Sequence, residues 1–406
     1  MTWQASPLVS LKVATRRGAA VLRRFSAADF GRRLGWLLTH ARDRVIRLRP
    51  EGTPRGRVLF SFIIEPFLLS RRAAVSHAHT HYWESQCMAQ TWVDRGFEVD
   101  VIRWTNRTFE PREEYDVLID PRLNLERLAP RLPARCRKIM HIETAHPSVH
   151  NAAQLRRLAQ LKERRGIELA PFKMIEENRA IENADLATCL GNGFTQASYA
   201  FAGKPMHRIP VSAPFAYPFP SLKDFNASHR NWLWFGSEGF VHKGLDLALD
   251  VFAGLPDYHL YVCGPLESEP AFQKAFYREL YRTPNIHTLG WVDVRSRRFE
   301  DVCRRCLGLI YPTCSEGGGA SVLACMHAGL IPLVTREASV DIAPAYGRVT
   351  PDSRVETLRE QVRELSARPA TELADLAREA WSFARAHHTR EIFAAAYRDF
   401  VARQAP

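Results

Sequence analysis

Residues 307–335 read LGLIYPTCSEGGGASVLACMHAGLIPLVT, and this segment indicates how the rest of the chain is built. The apolar run Leu307–Tyr311 predicts a buried strand, and Ser315–Gly319 predicts an acidic, glycine-rich turn. Apolar residues then recur at helical spacing over Ala320–Gly329, and Ile331–Val334 predicts a second strand. Strand, turn, helix and strand in this order are typical of the crossover unit of a parallel α/β sheet.

The glycine turn ahead of the predicted helix is a candidate anion site. The first amides of a helix have no helical acceptor, and the positive end of the helix dipole lies beside them. Phosphate groups bind at helix ends of this kind. We therefore expect the amides of Gly317–Gly319 to bind a phosphate or a diphosphate leaving group, with Glu316 beside them for sugar hydroxyls. An ordinary βαβ crossover with a glycine turn is the alternative interpretation.

Length and composition limit the classes of protein to consider. The chain has 406 residues, of which 46% are hydrophobic and 25% charged. These values are typical of a globular protein with two domains. The sequence has no apolar run of about 18 residues, which a membrane-spanning helix requires. Arg16, Arg17, Arg23 and Arg24 interrupt the segment in which a signal peptide has its apolar core. We expect a cytoplasmic protein.

The first 50 residues carry most of the positive charge. They contain Lys12 and ten arginines against two aspartates, a net charge of +9, while the whole chain carries +12. Ser26 and Asp29 fit a capping box. Apolar residues at helical spacing follow: Phe30, Leu34, Leu37, Leu38, Ala41, Val45 and Leu48. We expect a basic amphipathic helix that contacts an anionic membrane surface; packing on the body of the protein is the alternative. Since no nucleic-acid-binding motif accompanies the arginines, we expect no nucleic acid partner.

The segment that follows is typical of a first α/β domain. Its apolar runs predict strands at Val58–Ile64, Val99–Trp104, Val117–Asp120, Lys138–Ile142 and Leu186–Leu190. Ligands of open α/β sheets bind beyond the carboxyl ends of the strands. Glu143 and His146 follow one such end and are candidates to polarise an incoming hydroxyl; a capping glutamate and a loop histidine are the alternative. A polar stretch from Leu155 to Asn183 predicts a long helical region.

Two features of the sequence invite a metal site. His77, His79 and His81 precede the first long helix, at a spacing that does not put all three on one helical face. Cys303 and Cys306 form the one closely spaced pair among eight cysteines. A zinc site needs further ligands at similar spacing, and the sequence offers none, so we expect no metal. We expect the histidines to line a cleft, with a plain surface loop as the alternative, and the cysteines to be reduced thiols.

A second α/β domain follows a proline-rich linker. Its predicted strands before residue 307 are Asn231–Phe235, His259–Cys263 and Ile286–Leu289. Lys243 lies just before the helix predicted at Leu245–Phe252, where its ammonium can reach phosphate oxygens. We divide the chain into a basic helical extension (1–55), an N-terminal domain (56–215), a C-terminal domain (225–390) and a last helix (391–406). The last helix is expected to return to the N-terminal domain.

Three motifs occur in order in the second domain. They are Gly236 followed by His242–Gly244, then Leu260–Gly264, then Ser315–Gly317 with Gly329–Pro332. Together they resemble the donor-binding domain of GT-B glycosyltransferases, specifically the retaining family 4, or group 1, type. The match covers residues 232–342, and the N-terminal block resembles the family only in its α/β layout. The resemblance implies an α/β protein with two Rossmann-like, doubly wound domains facing a cleft, in which the C-terminal domain holds a nucleotide sugar.

The resemblance also implies roles for individual residues. Lys243 matches the family's phosphate lysine, and Glu316 matches the first glutamate of its Glu-x7-Glu signature, near the donor sugar. The implied donor-binding residues are Gly236, Ser237, Lys243, Gly264, Glu316, Gly317, Gly318, Gly319, Ala320 and Ser321. The expected catalytic residues are Glu316, Lys243, His146 and Glu143, and the expected acceptor-side residues are His77, His79 and His81. Two positions depart from the family: Ala324 replaces the second glutamate, which contacts the ribose, and Ser237 replaces a frequent arginine.

The function that the resemblance implies is transfer of a hexose from a nucleoside diphosphate to a hydroxyl acceptor, with retention of configuration. Since the sequence has no Asp-x-Asp motif, we expect a metal-independent enzyme without a cofactor. The basic segment 1–50 suggests a saccharide or lipid-linked acceptor at the inner membrane face, in surface polysaccharide or glycolipid assembly. Two alternatives stay open: a nucleotide-sugar epimerase or phosphorylase-like enzyme, and a non-catalytic sugar-nucleotide-binding protein, which Ala324 and Ser237 suggest.

Overall fold

The computed structural model describes residues 43–68 and 79–405, and these residues form two β-sheets covered by helices. The N-terminal sheet contains β1 (Ile46–Leu48), β2 (Gly56–Phe62), β3 (Phe97–Arg103), β4 (Val117–Asp120), β5 (Arg137–Ile142), β6 (Leu186–Cys189) and β7 (Met206–Arg208). The C-terminal sheet contains β8 (Asn231–Phe235), β9 (His259–Cys263), β10 (Ile286–Gly290), β11 (Gly308–Tyr311), β12 (Ile331–Thr335) and β13 (Arg348–Thr350).

Helices alternate with the strands along the chain. Those among and after the N-terminal strands are α1 (Glu65–Leu68), α2 (Thr80–Asp94), α3 (Leu123–Leu128), α4 (Pro147–Arg165), α5 (Ala180–Asn183), α6 (Gly193–Ser198) and α7 (Phe225–Ser228). Those of the C-terminal half are α8 (Leu245–Ala253), α9 (Pro270–Ala275), α10 (Tyr277–Arg282), α11 (Arg297–Arg305), α12 (Ala320–His327), α13 (Val355–Ser366), α14 (Ala370–His387) and α15 (Arg390–Gln404). Within the described ranges, no helix has the length and apolar character that a membrane span needs.

The strand order explains where a ligand can bind. The N-terminal sheet has the order β1-β3-β2-β4-β5-β6-β7 and is parallel except for the β1–β3 pair. The C-terminal sheet has the order β10-β9-β8-β11-β12-β13 and is parallel throughout. The strand order reverses between β2 and β4, and again between β8 and β11. Such reversals leave a crevice beyond the carboxyl ends of the strands, so each sheet offers one crevice.

The chain differs from the prediction at the end of the basic segment. Residues 1–42 lie outside the described residues, and so does most of the expected basic helix. The helical spacing extends to Val45 and Leu48, but the structure has strand β1 there, paired with β3. Arg47 bonds the buried Asp100 through Nε and Nη2, at 2.7 and 3.0 Å. Pairing with a free sheet edge and with a buried carboxylate outweighs a local helical pattern.

The polar stretch from Leu155 to Asn183 is helical only at its two ends. Helix α4 ends at Arg165 because Gly166 adopts the left-handed conformation, with φ of 66°, and a residue in this conformation ends a helix. The chain then has no helix until Ala180. The single helical region predicted here is therefore wrong over residues 166–179, and we call these residues the strap.

The strap touches both domains. Near its start, Ile167 and Leu169 pack against the apolar core of the C-terminal domain. Near its end, the side chain of Asn151 on α4 bonds the backbone of Ile175 twice. It accepts from the Ile175 N–H at 2.9 Å and donates to the Ile175 carbonyl at 2.8 Å. The segment between these anchors is therefore held beside the junction of the domains.

Two helices join the domains directly. Arg157 of α4 donates to the carbonyl of Pro312 at 2.8 Å, and Arg164 of α4 pairs with Asp246 and Asp250 of α8 at 2.7 and 2.6 Å. Helix α15 follows the C-terminal domain in the chain but packs on α2 of the N-terminal domain. There Trp92 Nε1 donates to the hydroxyl of Tyr397 at 3.2 Å. These contacts fix the orientation of the two crevices.

Candidate active site

A cleft of about 500 Å³ lies between the two domains at the carboxyl ends of their strands. The N-terminal domain lines it with His79, Thr80, His81, Arg122, Glu143, Thr144, His150, Leu190 and Val211. The C-terminal domain lines it with Phe235, Gly236, Ser237, His242, Lys243, Gly264, Trp291, Tyr311 and the segment Ser315–Ser321. The volume falls within the roughly 300–1,000 Å³ that is usual for small-molecule sites. Every donor-binding residue expected from the sequence therefore lines one cleft.

The glycine turn is the point at which the two domains come closest in the cleft. A side chain at Gly317 would put its Cβ 1.9 Å from the carbonyl oxygen of Glu143, so only glycine fits. Gly319, which precedes α12, has φ of 52°, a conformation that side chains disfavour. The sequence indicated the turn and its glycines, but not that the turn rests on the backbone of the other domain.

The amides of the turn are available to a ligand. The backbone N–H groups of residues 317–321 donate to no acceptor among the described residues. They lie at the N-terminus of α12, where the helix dipole favours an anion. The hydroxyl of Ser315 is buried in the same wall and has no partner within the described part of the chain. A buried donor without an acceptor costs free energy, which a bound anion would recover.

Lys243 lies opposite this turn in the C-terminal domain. It belongs to the loop between β8 and α8, where its N–H donates to the carbonyl of Gly239 at 2.8 Å. Its ammonium donates to Ser237 Oγ at 2.5 Å. Burial lowers the pKa of Lys243, and the nearby Glu316 carboxylate opposes that shift. The ammonium thus has an incomplete set of partners and points into a site that suits an anion.

Glu316 is held as a carboxylate. Its Oε1 accepts from the hydroxyl of Tyr311 at 2.9 Å. Burial alone would raise the pKa of Glu316, but Lys243 and the Tyr311 hydroxyl outweigh it and leave the pKa below its ordinary value. An ionised carboxylate accepts hydrogen bonds only. Glu316 can therefore bind sugar hydroxyls, and it is a poor proton donor.

His242 holds the glycine turn in place, a role that the sequence motif alone did not indicate. Its Nε2 donates to the carbonyl of Ser315 at 2.5 Å, and its Nδ1 lies 3.3 Å from the thiol of Cys314. Its ring packs against His150 with centroids 4.6 Å apart. Burial lowers the pKa of His242 to about 3, so the ring stays neutral. The neutral ring ties the loop that carries Lys243 to the turn that carries Glu316.

The N-terminal wall contains a chain of charged groups. Arg122 Nη2 donates to Glu143 at 2.7 Å, and His81 lies between Glu84, at 2.6 Å, and Glu143, at 3.7 Å. Burial opposes ionisation of Glu143, but Arg122 and His81 hold its pKa below the ordinary value. Burial would also lower the pKa of His81, yet the two carboxylates raise it. Glu84 carried no sequence signal, because a buried glutamate inside α2 resembles any helical glutamate.

The remaining histidines have different positions. His79 lines the cleft. His77 lies outside the described residues. His146 does not line the cleft: it caps α4, its Nδ1 lies 2.8 Å from Ser148 Oγ, and its ring packs against Tyr199. The catalytic role expected for His146 stays a prediction, and its place at the start of α4, outside the cleft lining, does not add support to it.

The structure also places the cysteines and the groups that could bind a metal. No cluster of three or more metal-ligating side chains occurs in residues 43–68 and 79–405. Cys303 and Cys306 are buried and unbridged, as free thiols. The cleft lining also includes residues that no sequence motif indicated, among them Phe172 and Lys173 of the strap and Trp291 after β10. The strap residues belong to no motif, so no sequence signal could have identified them.

The sequence matches no protein-family model and no curated protein. Solved structures are nevertheless similar. Sucrose-phosphate synthase from Thermosynechococcus elongatus aligns over 87% of this chain and 100% of its own, at 14% identity and a TM-score of 0.60. Anabaena HepE in complex with UDP-glucose aligns over 86% and 100%, at 12% identity and a TM-score of 0.56. The chain also spans about half of S. aureus TarM (54% of TarM and 70% of this chain, 11% identity, TM-score 0.48).

At these identities the similarity concerns the fold. The pairing of two parallel sheets across a cleft, over nearly the full length of both neighbours, confirms the fold class predicted from the sequence. The chain has the GT-B fold, with two Rossmann-like domains that face each other across a ligand cleft.

Proposed function

We propose that this protein is a glycosyltransferase that moves a sugar from a nucleoside diphosphate to a hydroxyl acceptor, with retention of configuration. One observation carries the proposal: the Lys243 ammonium, the free amides of residues 317–321 and the Glu316 carboxylate meet in one cleft. The first two suit a diphosphate, and the third suits sugar hydroxyls. The fold shared with HepE, whose structure contains UDP-glucose, supports this assignment.

The reaction can be written from these groups. The bond between the anomeric carbon and the diphosphate oxygen breaks, and its electron pair leaves with the diphosphate. Lys243 and the turn amides stabilise the negative charge that develops there. The acceptor oxygen forms the new bond on the same face of the sugar and gives its proton to the departing phosphate oxygen. Configuration is then retained, and atoms and charge balance.

Glu143 has a positioning task in this scheme. Because Arg122 and His81 keep its pKa low, Glu143 is a weak base. It can still accept a hydrogen bond from the acceptor hydroxyl and orient it towards the anomeric carbon. His79 and His81 lie on the same wall and complete the acceptor side of the cleft. We therefore assign the acceptor to the N-terminal domain and the donor to the C-terminal domain.

The finer parts of the proposal concern the substrate and the setting. We propose a hexosyl donor, no required metal, and a saccharide or lipid-linked acceptor in surface polysaccharide or glycolipid assembly. The positive charge that Lys243 and the turn amides place at the leaving group supports catalysis without a metal. The net charge of +9 in residues 1–50 suits an anionic membrane surface and supports the lipid-linked acceptor. Ala324 lines the donor side of the cleft, so ribose must be held without a carboxylate at that position.

A thermal-shift screen against UDP-, GDP- and ADP-sugars tests the donor, since a ligand that binds only the folded state raises the melting temperature. The hit is then incubated with glycolipid and saccharide acceptors, with and without EDTA, and the anomeric configuration of the product is read by NMR. Product that forms only with acceptor and survives EDTA supports the proposal. A new nucleotide sugar without acceptor indicates an epimerase. Binding without turnover on any acceptor indicates the non-catalytic alternative, which Ala324 and Ser237 favour.

A further inference from the structure

The basic side chains of the cleft do not balance the charge of a nucleoside diphosphate. Such a ligand carries between two and three negative charges near neutral pH, since a terminal phosphate has a second pKa of about 6. The lysine and arginine side chains that line the described cleft are Arg122, Lys173 and Lys243. Arg122 is bonded to Glu143 at 2.7 Å, and Lys243 lies beside the ionised Glu316. Lys173 remains.

Lys173 adds a third positive charge to the cleft. It lies in the strap, is partly buried, and forms no ion pair with any residue that the structure describes. Its side chain lies along the loop between β8 and α8: a Cβ at Gly239 would be 2.8 Å from Lys173 Cγ. That loop ends at Lys243. The charge of Lys173 also lowers the pKa of Glu316 and of Lys243.

The backbone around Lys173 is fixed, as a binding residue requires. His150 Nε2 donates to the carbonyl of Lys173 at 2.7 Å, and the ring of His150 packs against His242. Two residues later, Asn151 bonds both backbone groups of Ile175. These contacts connect the strap to the residues that hold the glycine turn. The backbone of Lys173 is therefore held in place, and its side chain lies beside Gly239 of the donor wall.

We propose that Lys173 supplies the second positive charge for the diphosphate of the donor, from the strap and not from the C-terminal domain. This inference rests on the proposed function. Lys243 and Lys173 then reach the same diphosphate from two different parts of the fold. The serine at position 237 is compatible with this arrangement, because it anchors the Lys243 ammonium while the additional charge comes from the strap.

The alternative is a solvated lysine that only balances the acidic residues nearby. Glu269 is one of these: its Oε1 accepts from the N–H groups of Gly239 and Phe240 at 2.5 and 3.1 Å, and Lys173 lowers its pKa against the larger effect of burial. In that case, removing Lys173 would change the melting temperature of the free protein and leave nucleotide affinity unchanged. The two roles therefore differ in what they predict.

The experiment is calorimetric titration of the full chain with UDP, GDP and ADP, and with the matching monophosphates. We expect Lys173→Ala to weaken the best diphosphate by about tenfold to a hundredfold, as for a lost hydrogen bond to a charged group. The monophosphate should weaken less, Lys173→Arg should stay near the unaltered protein, and the exposed Lys274→Ala should change nothing. If Lys173→Ala does not fold, Lys173→Gln and Lys173→Met replace it.

Three outcomes would overturn the inference. Unchanged diphosphate affinity in a folded Lys173→Ala protein removes the role of Lys173 and leaves the proposed function intact. An equal loss for monophosphate and diphosphate points to a general effect on the cleft, and also removes it. If the unaltered protein binds none of the three diphosphates, the proposed function fails first, and the inference fails with it.

Discussion

In the proposed reaction, Lys243 is the residue on which the leaving-group chemistry depends most directly. Its ammonium lies in the cleft with Ser237 Oγ 2.5 Å away, and the charge that it faces grows as the sugar–phosphate bond breaks. We expect Lys243→Ala to lower kcat at saturating donor by about 10²–10³-fold, the usual cost of losing one such group. Initial rates measure this, with Lys274→Ala as the matched lysine control. Near-normal kcat in Lys243→Ala would contradict the assigned role.

His81 makes the stability of the protein depend on pH in a defined direction. Glu84 and Glu143 outweigh burial and raise its pKa above 6.5 in the folded state. A raised pKa contributes stability that is complete below pH 6.5 and is lost as pH rises through the folded value. We therefore expect His81→Gln to destabilise the protein more at pH 6 than at pH 9, measured by urea unfolding. The stability that comes from the lowered pKa of Glu84 and Glu143 is complete above about pH 4.5, so it does not change between pH 6 and pH 9. An equal difference at both pH values would argue against the charged His81.

The site residues that the sequence predicted are those fixed by local structure. Lys243 and Glu316 follow strands β8 and β11, and neighbouring parallel strands bring their carboxyl ends together. The strap residue Lys173 could not be found in this way, because its position comes from contacts with His150 and Gly239 far along the chain. His146 was selected because it follows a strand, but it caps α4 instead. Strand ends are thus predictable, whereas the direction of a side chain beyond them is not.

At the scale of single elements, the glycine turn has two tasks that a substitution can separate. Its amides have no acceptor among the described residues and are available to a ligand, and its backbone at Gly317 rests on the carbonyl of Glu143. We expect Gly317→Ala to cost about 1–3 kcal/mol in free energy of unfolding, because its Cβ would overlap that carbonyl. Gly193→Ala is the control, since a Cβ there meets nothing within 4 Å. Melting curves of the two variants measure the difference. Equal melting temperatures would show that the domains do not press together at the turn.

The elements themselves could be predicted where the apolar pattern is continuous. Strands β4, β8 and β9 have the predicted bounds Val117–Asp120, Asn231–Phe235 and His259–Cys263. Buried parallel strands are uniformly apolar, so their ends coincide with the change in composition. Strand β1 and the strap were missed for the opposite reason. Each is defined by partners distant in sequence, Asp100 for β1 and Asn151 for the strap.

At the scale of the whole molecule, the relative position of the two domains is part of the site. The groups that we propose for the donor and for the acceptor lie mainly on different domains, while α4, the strap and α15 cross between the domains. A change far from the cleft can therefore alter the distance between donor and acceptor. Variants that disturb domain docking are expected to alter stability and turnover together, whereas Lys243→Ala is expected to alter turnover alone. Measuring both quantities therefore separates effects on docking from effects on chemistry.

The ion pairs of Arg164 provide the test at this scale. Arg164 bonds Asp246, which is fully buried, and Asp250 of the other domain. We expect Arg164→Ala to cost about 3–5 kcal/mol in free energy of unfolding, because it leaves a buried carboxylate without its partner. Arg156→Ala, at an exposed position of the same helix, should cost little.

Burial already raises the pKa of Asp246, and losing Arg164 raises it further. An aspartate with a raised folded pKa loses stability as pH rises, so the penalty should be larger at pH 7 than at pH 5. Urea unfolding of both variants at both pH values measures this. A penalty equal to that of Arg156→Ala, or one that does not change with pH, would mean that Arg164 does not hold the domains together.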